Sequence, residues 1–422
     1  MRTDFSAAQL ANPALEEAND ILRKCVHCGF CNATCPTFKL LGDELDGPRG
    51  RIYLLKDLLE NEATPSKKVV THIDRCLSCL SCMSTCPSGV NYMHLVDTGR
   101  SYIEKKFRRP LPERLFRGLL VAFLPHPRRF RLLFRLARLL APCRRLLPGR
   151  LGHAVGLGSS SKPRAMPSPP TARHDTSQTV GLLAGCVQQV MGVEINDASA
   201  RLLARLGYRV QLLAEPACCG AIEHHLGRTD LADKRFRQNI ATWIRHIDAH
   251  GLTALLVNAS GCGTMLKDYG HLFRNDSVLA PEAGKISAAT LDIVEFLFDR
   301  HTLDRNDEMQ DVRVAYQSPC SMQHGQRIDR QPIALLEQAG FTVQELPEKH
   351  LCCGSAGAYN LLQPHLATEL GKGKAAYINA TSADVVASGN LGCMAHLRQF
   401  TGIPIVHTAE LLDWATGGPK PF

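Results

Sequence analysis

Cys25-Val-His-Cys28-Gly-Phe-Cys31-Asn-Ala-Thr-Cys35-Pro36 and Cys76-Leu-Ser-Cys79-Leu-Ser-Cys82-Met-Ser-Thr-Cys86-Pro87 share one spacing, C-x2-C-x2-C-x3-C-P. In this spacing three thiolates grip one [4Fe-4S] cubane and the fourth cysteine crosses to ligate the other. By that rule Cys25, Cys28, Cys31 and Cys86 hold one cluster, and Cys76, Cys79, Cys82 and Cys35 hold the second. Soft thiolates in fours also suit zinc. A zinc site needs neither the x3-C-P turn nor the exchanged fourth ligand, so two clusters are expected. His27 lies between two ligands and is read as a neighbour of the cluster, with the backbone around it, Gly29 and Ser81 donating N–H groups to cluster sulfurs.

The rest of the composition sets the surroundings. A chain of 422 residues that is 45% hydrophobic predicts several domains rather than one. Seventeen cysteines without an apolar signal core in Met1 to Asp20 point to the reduced, cytoplasmic side rather than to a disulfide framework. No stretch of about 18 apolar residues is present to span a bilayer. The net charge of +9 is concentrated: Lys105 to Arg150 holds fourteen Lys/Arg against the single acid Glu113, or +13. Within it, Phe130 to Leu140 (FRLLFRLARLL) places Arg131, Arg135 and Arg138 on one face of a helix whose remainder is apolar. Such a helix suits a membrane interface or a partner subunit. No nucleic-acid module accompanies it, so no nucleic-acid partner is expected.

The two cysteine stretches lie within residues 1–104, separated by a helical pattern from Arg51 to Asn61 with Ile52, Leu55, Leu58 and Leu59 on one face. The basic helical segment, 105–150, follows. A Gly-, Ser- and Pro-rich stretch, 151–178, reads as a flexible linker. Beyond it the chain repeats itself. Cys186, Cys218-Cys219 and Cys262 are echoed by Cys320, Cys352-Cys353 and Cys393, with 32 residues from the first cysteine to the pair in both copies. The interval from pair to last cysteine is 43 residues in one copy and 40 in the other, and LLARLGYRV at Leu202 matches LLEQAGFTV at Leu335. Two copies of one domain, 179–300 and 311–418, are expected. Apolar runs just before Cys186, Cys262, Cys320 and Cys393 predict parallel strands of α/β units with the cysteines at their carboxyl ends, where open sheets place ligands. The fold class is therefore multi-domain α+β: a mainly helical 2[4Fe-4S] ferredoxin-type domain followed by two α/β repeats.

Each pair is followed by glycine, Gly220 or Gly354, whose permissive backbone allows the turn that brings neighbouring thiols to one metal. All eight repeat cysteines, Cys186, Cys218, Cys219, Cys262, Cys320, Cys352, Cys353 and Cys393, are candidate ligands of a further cluster or zinc, structural thiols being the alternative. Cys143 stands outside both patterns and is read as a non-ligand. With the ferredoxin-type stretches, the CCG triplets resemble the family of iron-sulfur subunits with two cysteine-rich CCG domains, shared by glycolate oxidase, anaerobic glycerol-3-phosphate dehydrogenase and heterodisulfide reductase relatives. CVHCGFCNATCPTFKLLGDELDGPRGRIYLL from Cys25, NASGCG from Asn258 and HLCCGSAGAYN from His350 are similar to the glycolate oxidase branch.

The resemblance implies an electron-relay subunit that passes electrons from flavoprotein subunits, which oxidise glycolate to glyoxylate and also D-lactate, to a quinone or other membrane acceptor. It implies FAD on the partner only, and a cytoplasmic location peripheral to the inner membrane. Another flavin-dependent dehydrogenase, such as that for glycerol 3-phosphate, or a CCG-type reductase, is the alternative. No G-x-G-x-x-G after a strand is present, and clusters take single electrons rather than hydride, so substrate oxidation belongs to another chain and no catalytic residue is assigned here. The heterodisulfide reductase pattern closes each repeat with C-x-x-C; here Met265 and His396 stand where its fifth cysteines would be, which argues against disulfide reduction.

Overall fold

A computed structural model describes residues 1–146, 149–159, 178–216 and 218–422. The first part is helical, with the helix Pro48–Glu60 at its centre. Ile52, Leu55, Leu58 and Leu59 are buried from that helix, as the periodicity predicts, and pack with Leu22, Ile73, Leu95 and Ile103. Arg51 shares the apolar face, at i−4 from Leu55, and is fully buried. It survives there because Asp46, itself buried, faces it: Arg51 Nη2 lies 3.4 Å from Asp46 Oδ1, and His72 Nδ1 (3.0 Å) and Arg75 Nη1 (2.8 Å) complete the carboxylate's shell. Arg51 Nε also donates to the carbonyl of His72 at 2.7 Å.

The second part consists of two like α/β units. One sheet contains β1 (Thr179–Leu183), β2 (Arg209–Leu213), β3 (Leu252–Val257) and β4 (Thr290–Asp292) in the order β2-β1-β3-β4, all parallel. The other contains β5 (Arg313–Gln317), β6 (Thr342–Glu345), β7 (Val385–Ser388) and β8 (Ile405–His407) in the equivalent order β6-β5-β7-β8. The predicted strands before Cys186, Cys262, Cys320 and Cys393 are β1, β3, β5 and β7. Their strongly buried Val, Leu and Ala runs reflect sheets covered on both faces. One apolar cluster, from Val180 and Leu202 to Leu335 and Leu412, runs through both units, and Asp413 receives Arg201 and Arg205 across the join. The repeats are therefore fused through a shared core.

The helical part is held to the first repeat by imidazole–carboxylate contacts. His94 Nε2 lies 2.9 Å from Asp268, Glu17 Oε1 lies 2.7 Å from His271 Nε2, and Asp97 faces His224 (3.3 Å) and His225 (3.2 Å). Against the second repeat, His324 Nδ1 meets Ser84 Oγ at 2.9 Å.

Part of the expected linker is a helix, Gly149–Ser159. Gly152 and Val155 are buried, and the segment packs on the helices Pro127–Leu139, Tyr359–Leu362 and Pro364–Asn379, so tertiary contacts outweigh its low helix propensity. Residues 160–177 of that linker lie outside the described residues.

Two outcomes follow from these contacts. Replacing Asp46 with alanine leaves Arg51 buried without its counter-charge, so thermal unfolding of the anaerobic protein should register a loss of about 3–5 kcal/mol, whereas Asp57→Ala, on the exposed side of the same helix, should cost far less. Burial opposes the His94 charge, yet the hydrogen bonds it donates to Asp268 and Glu17 raise its imidazole from 6.5 to about 9. Its contribution is complete below pH 6.5 and disappears as pH rises through about 9. Stability measured from pH 6 to pH 10 should fall by on the order of 2–3 kcal/mol through this group, and His94→Gln should remove that part of the slope.

Candidate metal centres

Two neighbouring cavities occupy the helical part. One, a space of about 440 Å³ counting the part open to solvent, is lined by Cys25, Cys28, Cys31, Cys82 and Cys86. The other, of about 320 Å³, is lined by Cys35, Cys76, Cys79 and Cys82. Cys86 thus lines the cavity of Cys25, Cys28 and Cys31, and Cys35 that of Cys76 and Cys79, while Cys82 lines both. Pro48 and Tyr92 border both cavities and form the partition between them.

The backbone explains how the sulfurs converge. His27 (φ 59°) and Gly29 (φ 85°) in the first stretch match Ser78 (φ 51°) and Leu80 (φ 63°) in the second, all left-handed. Such residues curl successive N–H groups into a concave nest that suits an anionic cluster. Ser78 N already donates to Cys76 Sγ at 3.4 Å. Three of the four are not glycine, so local strain is maintained here by the surrounding fold. Burial pushes the Cys82 thiol well up, and burial with the neighbouring Cys25 pushes Cys31 up to about 11. Crowded neutral thiols of this kind give up protons when a metal binds. The donor set, the left-handed turns and the cavities fit a pair of cubane clusters.

Arg51 and Tyr92 are site residues that the sequence reading did not assign. Arg51 Nη1 donates to Cys35 Sγ at 3.9 Å and Nη2 to Thr37 Oγ1 at 3.1 Å, which puts a fixed cation behind the second cavity. An arginine on the apolar stripe of an amphipathic helix was the available signal.

In the repeats, all four cysteines of each set lie past the carboxyl ends of three adjacent strands, straddling the point where strand order reverses. Cys186, Cys218, Cys219 and Cys262 lie close enough in the first repeat for each thiol to perturb its neighbours. In the second, Cys320 Sγ lies 3.7 Å from Cys352 Sγ, and Cys353 is hydrogen-bonded to Cys352 and Cys393. The glycine after each pair is left-handed and closely packed: a Cβ on Gly220 (φ 82°) would lie 2.3 Å from the Phe236 ring, and one on Gly354 (φ 91°) 2.6 Å from the Ala367 carbonyl. Only glycine fits either turn. Hydrogen bonding to Cys218 and burial raise the Cys186 thiol, and hydrogen bonding to Cys353 and burial raise that of Cys393.

The surroundings of the two sets differ. In the first, Glu223 approaches Cys218 (4.0 Å) and is paired with Arg235 at 2.6 Å. In the second, buried Lys374 and His396 lie near the thiols. The second set also adjoins the helical part. Leu77, Cys79, Cys352 and Tyr359 form one buried cluster with Cys320 packed on it, whereas Cys186 clusters only with Cys218 and Val187. Cys143 is exposed.

Two family descriptions match the chain: "4Fe-4S dicluster domain" over residues 21–90 and "Cysteine-rich domain" over residues 180–267 and 314–398. The glycolate oxidase iron-sulfur subunit of Escherichia coli (strain K12) is 41% identical across 98% of this chain and 99% of its own length. A probable glycolate oxidase iron-sulfur subunit of Bacillus subtilis (strain 168) is 29% identical across 99% of both chains. Lactate utilization protein A of Oceanobacillus iheyensis is 27% identical over 56% of this chain and 96% of its own. Among solved structures, a hypothetical protein from Helicobacter pylori shares the fold at a TM-score of 0.53 and 10% identity, over 97% of this chain and 73% of that one.

The crossed arrangement makes a specific demand. Cys86→Ser should abolish the same paramagnetic signal of the reduced protein as Cys28→Ser, and leave the signal lost in Cys79→Ser. Loss of the Cys79 signal instead would assign Cys86 to its own stretch.

Proposed function

The chain belongs to the family of glycolate oxidase iron-sulfur subunits, and from that premise we propose that it carries electrons from a glycolate-oxidising flavoprotein partner, through its thiolate-lined centres, to an acceptor at the membrane. It is an iron-sulfur electron-transfer subunit of an oxidoreductase complex. The clusters supply one-electron redox chemistry when bound. The polypeptide fixes their order, insulation and access.

The observation that carries the route is the placement of the second repeat. Its thiols adjoin Cys79 on one side. On the other, Cys353 and Cys393 share an apolar cluster with Leu120, Leu124, Phe130 and Phe134, which the basic helices Leu111–Phe123 and Pro127–Leu139 bury. The first cavity opens to the surface at Cys28, with Val26, Phe30 and Tyr53 exposed around it. That rim is the docking place we assign to the flavin-bearing partner. Electrons then pass from the first cavity to the second, to the second repeat, and out beneath the basic helices.

The outer faces of those helices are suited to lipid. Leu111, Leu115, Leu119, Leu132, Leu136 and Leu139 are exposed, and Arg114, Arg128, Arg129, Arg135 and Arg138 stand among them. Not all of the segment's charge is available: Arg109 and Arg117 are buried and paired with Asp74, Glu104 and Glu113. Among the described residues no helix is long and apolar enough to cross a membrane, so attachment is to the interface. Anionic lipid attracts each nearby arginine by roughly 1 kcal/mol.

Two measurements test this reading. In sedimentation with anionic vesicles, changing Arg131, Arg135 and Arg138 together to glutamate should weaken binding by at least about 3 kcal/mol, roughly two orders of magnitude; unchanged binding rejects the membrane face. Phe30→Asp should slow reduction of this subunit by glycolate plus the flavoprotein, while its reduction by dithionite stays normal. Equal slowing by both reductants would mean a damaged cluster rather than a lost docking contact.

A further inference from the structure

The position that separates the two repeats most sharply is the third residue after the last cysteine, Met265 in the first and His396 in the second. His396 lies one turn after Cys393 on the helix Leu391–Leu397, hence on the same side of it. It is wholly buried. Its Nε2 lies 2.9 Å from the Ala367 carbonyl oxygen, an acceptor only, so Nε2 carries the proton and Nδ1 keeps a lone pair. Nδ1 is buried and has no hydrogen-bond partner. A buried acceptor without a donor is rare and costly, and calls for an explanation.

The neighbourhood supplies one. The same Ala367 carbonyl lies against Gly354, the turn residue of Cys352-Cys353-Gly354. The contact that fixes the tautomer therefore also holds the ring beside the thiol turn. His396 lies close enough to Cys353 for the two side chains to interact, in agreement with that placement. An imidazole with one N–H held by a backbone carbonyl and its other nitrogen free is the arrangement that metal-ligating histidines adopt. The Phe400 ring, 5.2 Å away, limits its rotation.

We propose that His396 Nδ1 is a ligand of the iron-sulfur centre held by Cys320, Cys352, Cys353 and Cys393. The inference rests on the reading of this repeat as a metal centre. The imidazole binds neutral, through its lone pair, and no proton leaves it. The first repeat has no counterpart, because Met265 offers only a thioether, so the two centres differ in kind. A neutral nitrogen in place of an anionic fifth sulfur leaves the second centre less negative, which raises its potential, as histidine does in Rieske centres. That suits the last station before the acceptor.

The test uses the full chain purified anaerobically. Iron content of the wild type against Cys353→Ser first establishes whether the second repeat holds iron. Pulsed paramagnetic resonance on the reduced protein, unlabelled and with 15N-histidine, then looks for a ligand nitrogen. The expected result is a histidine coupling that is lost in both His396→Asn and His396→Cys, with the two ferredoxin-type signals intact as a check on folding. His396→Cys should retain the iron and shift the centre's midpoint potential downward. Equal iron in wild type and Cys353→Ser, or zinc at this site, overturns the metal reading and the inference with it. Iron present with no coupling that depends on His396 overturns the inference alone and leaves a centre of four thiolates.

Discussion

Four sulfurs cannot reach one point from an ordinary helix or strand, and that constraint organises the first hundred residues. The C-x2-C-x2-C spacing brings three thiols together only if the chain curls tightly between them, which is why His27, Gly29, Ser78 and Leu80 are left-handed. The fourth cysteine of each stretch is then aimed away from its own set. In the crossed assignment proposed here, the fourth cysteine supplies the missing ligand and at the same time ties the two stretches together. The helix Pro48–Glu60 bridges them, and Asp46 anchors the bridge by binding Arg51 from one end and His72 and Arg75 from the other. Charge burial of this kind contributes little net stability on its own. Here its value is geometric: it holds an arginine behind Cys35 at a fixed place.

What could be read from the sequence was whatever has a short period or a fixed spacing. Both thiol stretches, the repeat, the four strands preceding Cys186, Cys262, Cys320 and Cys393, and the apolar face of the bridging helix all belong to that class. The turn conformations did not, because leucine at Leu80 and serine at Ser78 give no local sign of a positive φ; the surrounding fold imposes it. Long-range pairing was equally silent. Nothing near His94 announces Asp268, and nothing near Asp97 announces His224 and His225. The helix Gly149–Ser159 was masked by its glycines, whose weakness as helix formers is offset only by partners distant in sequence.

The repeats share strand order, turn glycines and thiol spacing, yet they are placed differently. The first rests on the helical part through imidazole–carboxylate contacts, with its thiols away from the ferredoxin-type cavities. The second presents Cys320 and Cys352 to Cys79 and buries Cys393 under the basic helices. One unit used twice thus yields one repeat that braces the helical part and one whose thiols adjoin it. The residues that break the symmetry, Met265 against His396 and Glu223 with Arg235 against Lys374, all adjoin the thiols.

The basic segment brings these themes together. Its formal charge of +13 overstates what a surface can use, since Arg109 and Arg117 are spent inside the protein on Asp74 and its acidic neighbours. What remains outside is a set of arginines spaced by leucines, and what lies inside is Phe130 and Phe134 against the wall of the second repeat. The same two helices therefore do two jobs that cannot be separated. Their inner face keeps water from the thiols of Cys353 and Cys393, and their outer face sets how closely those thiols approach whatever the helices lie upon. Electron transfer weakens steeply with distance, so on the route proposed above the thickness of these two helices is what separates Cys353 and Cys393 from an acceptor on their outer side.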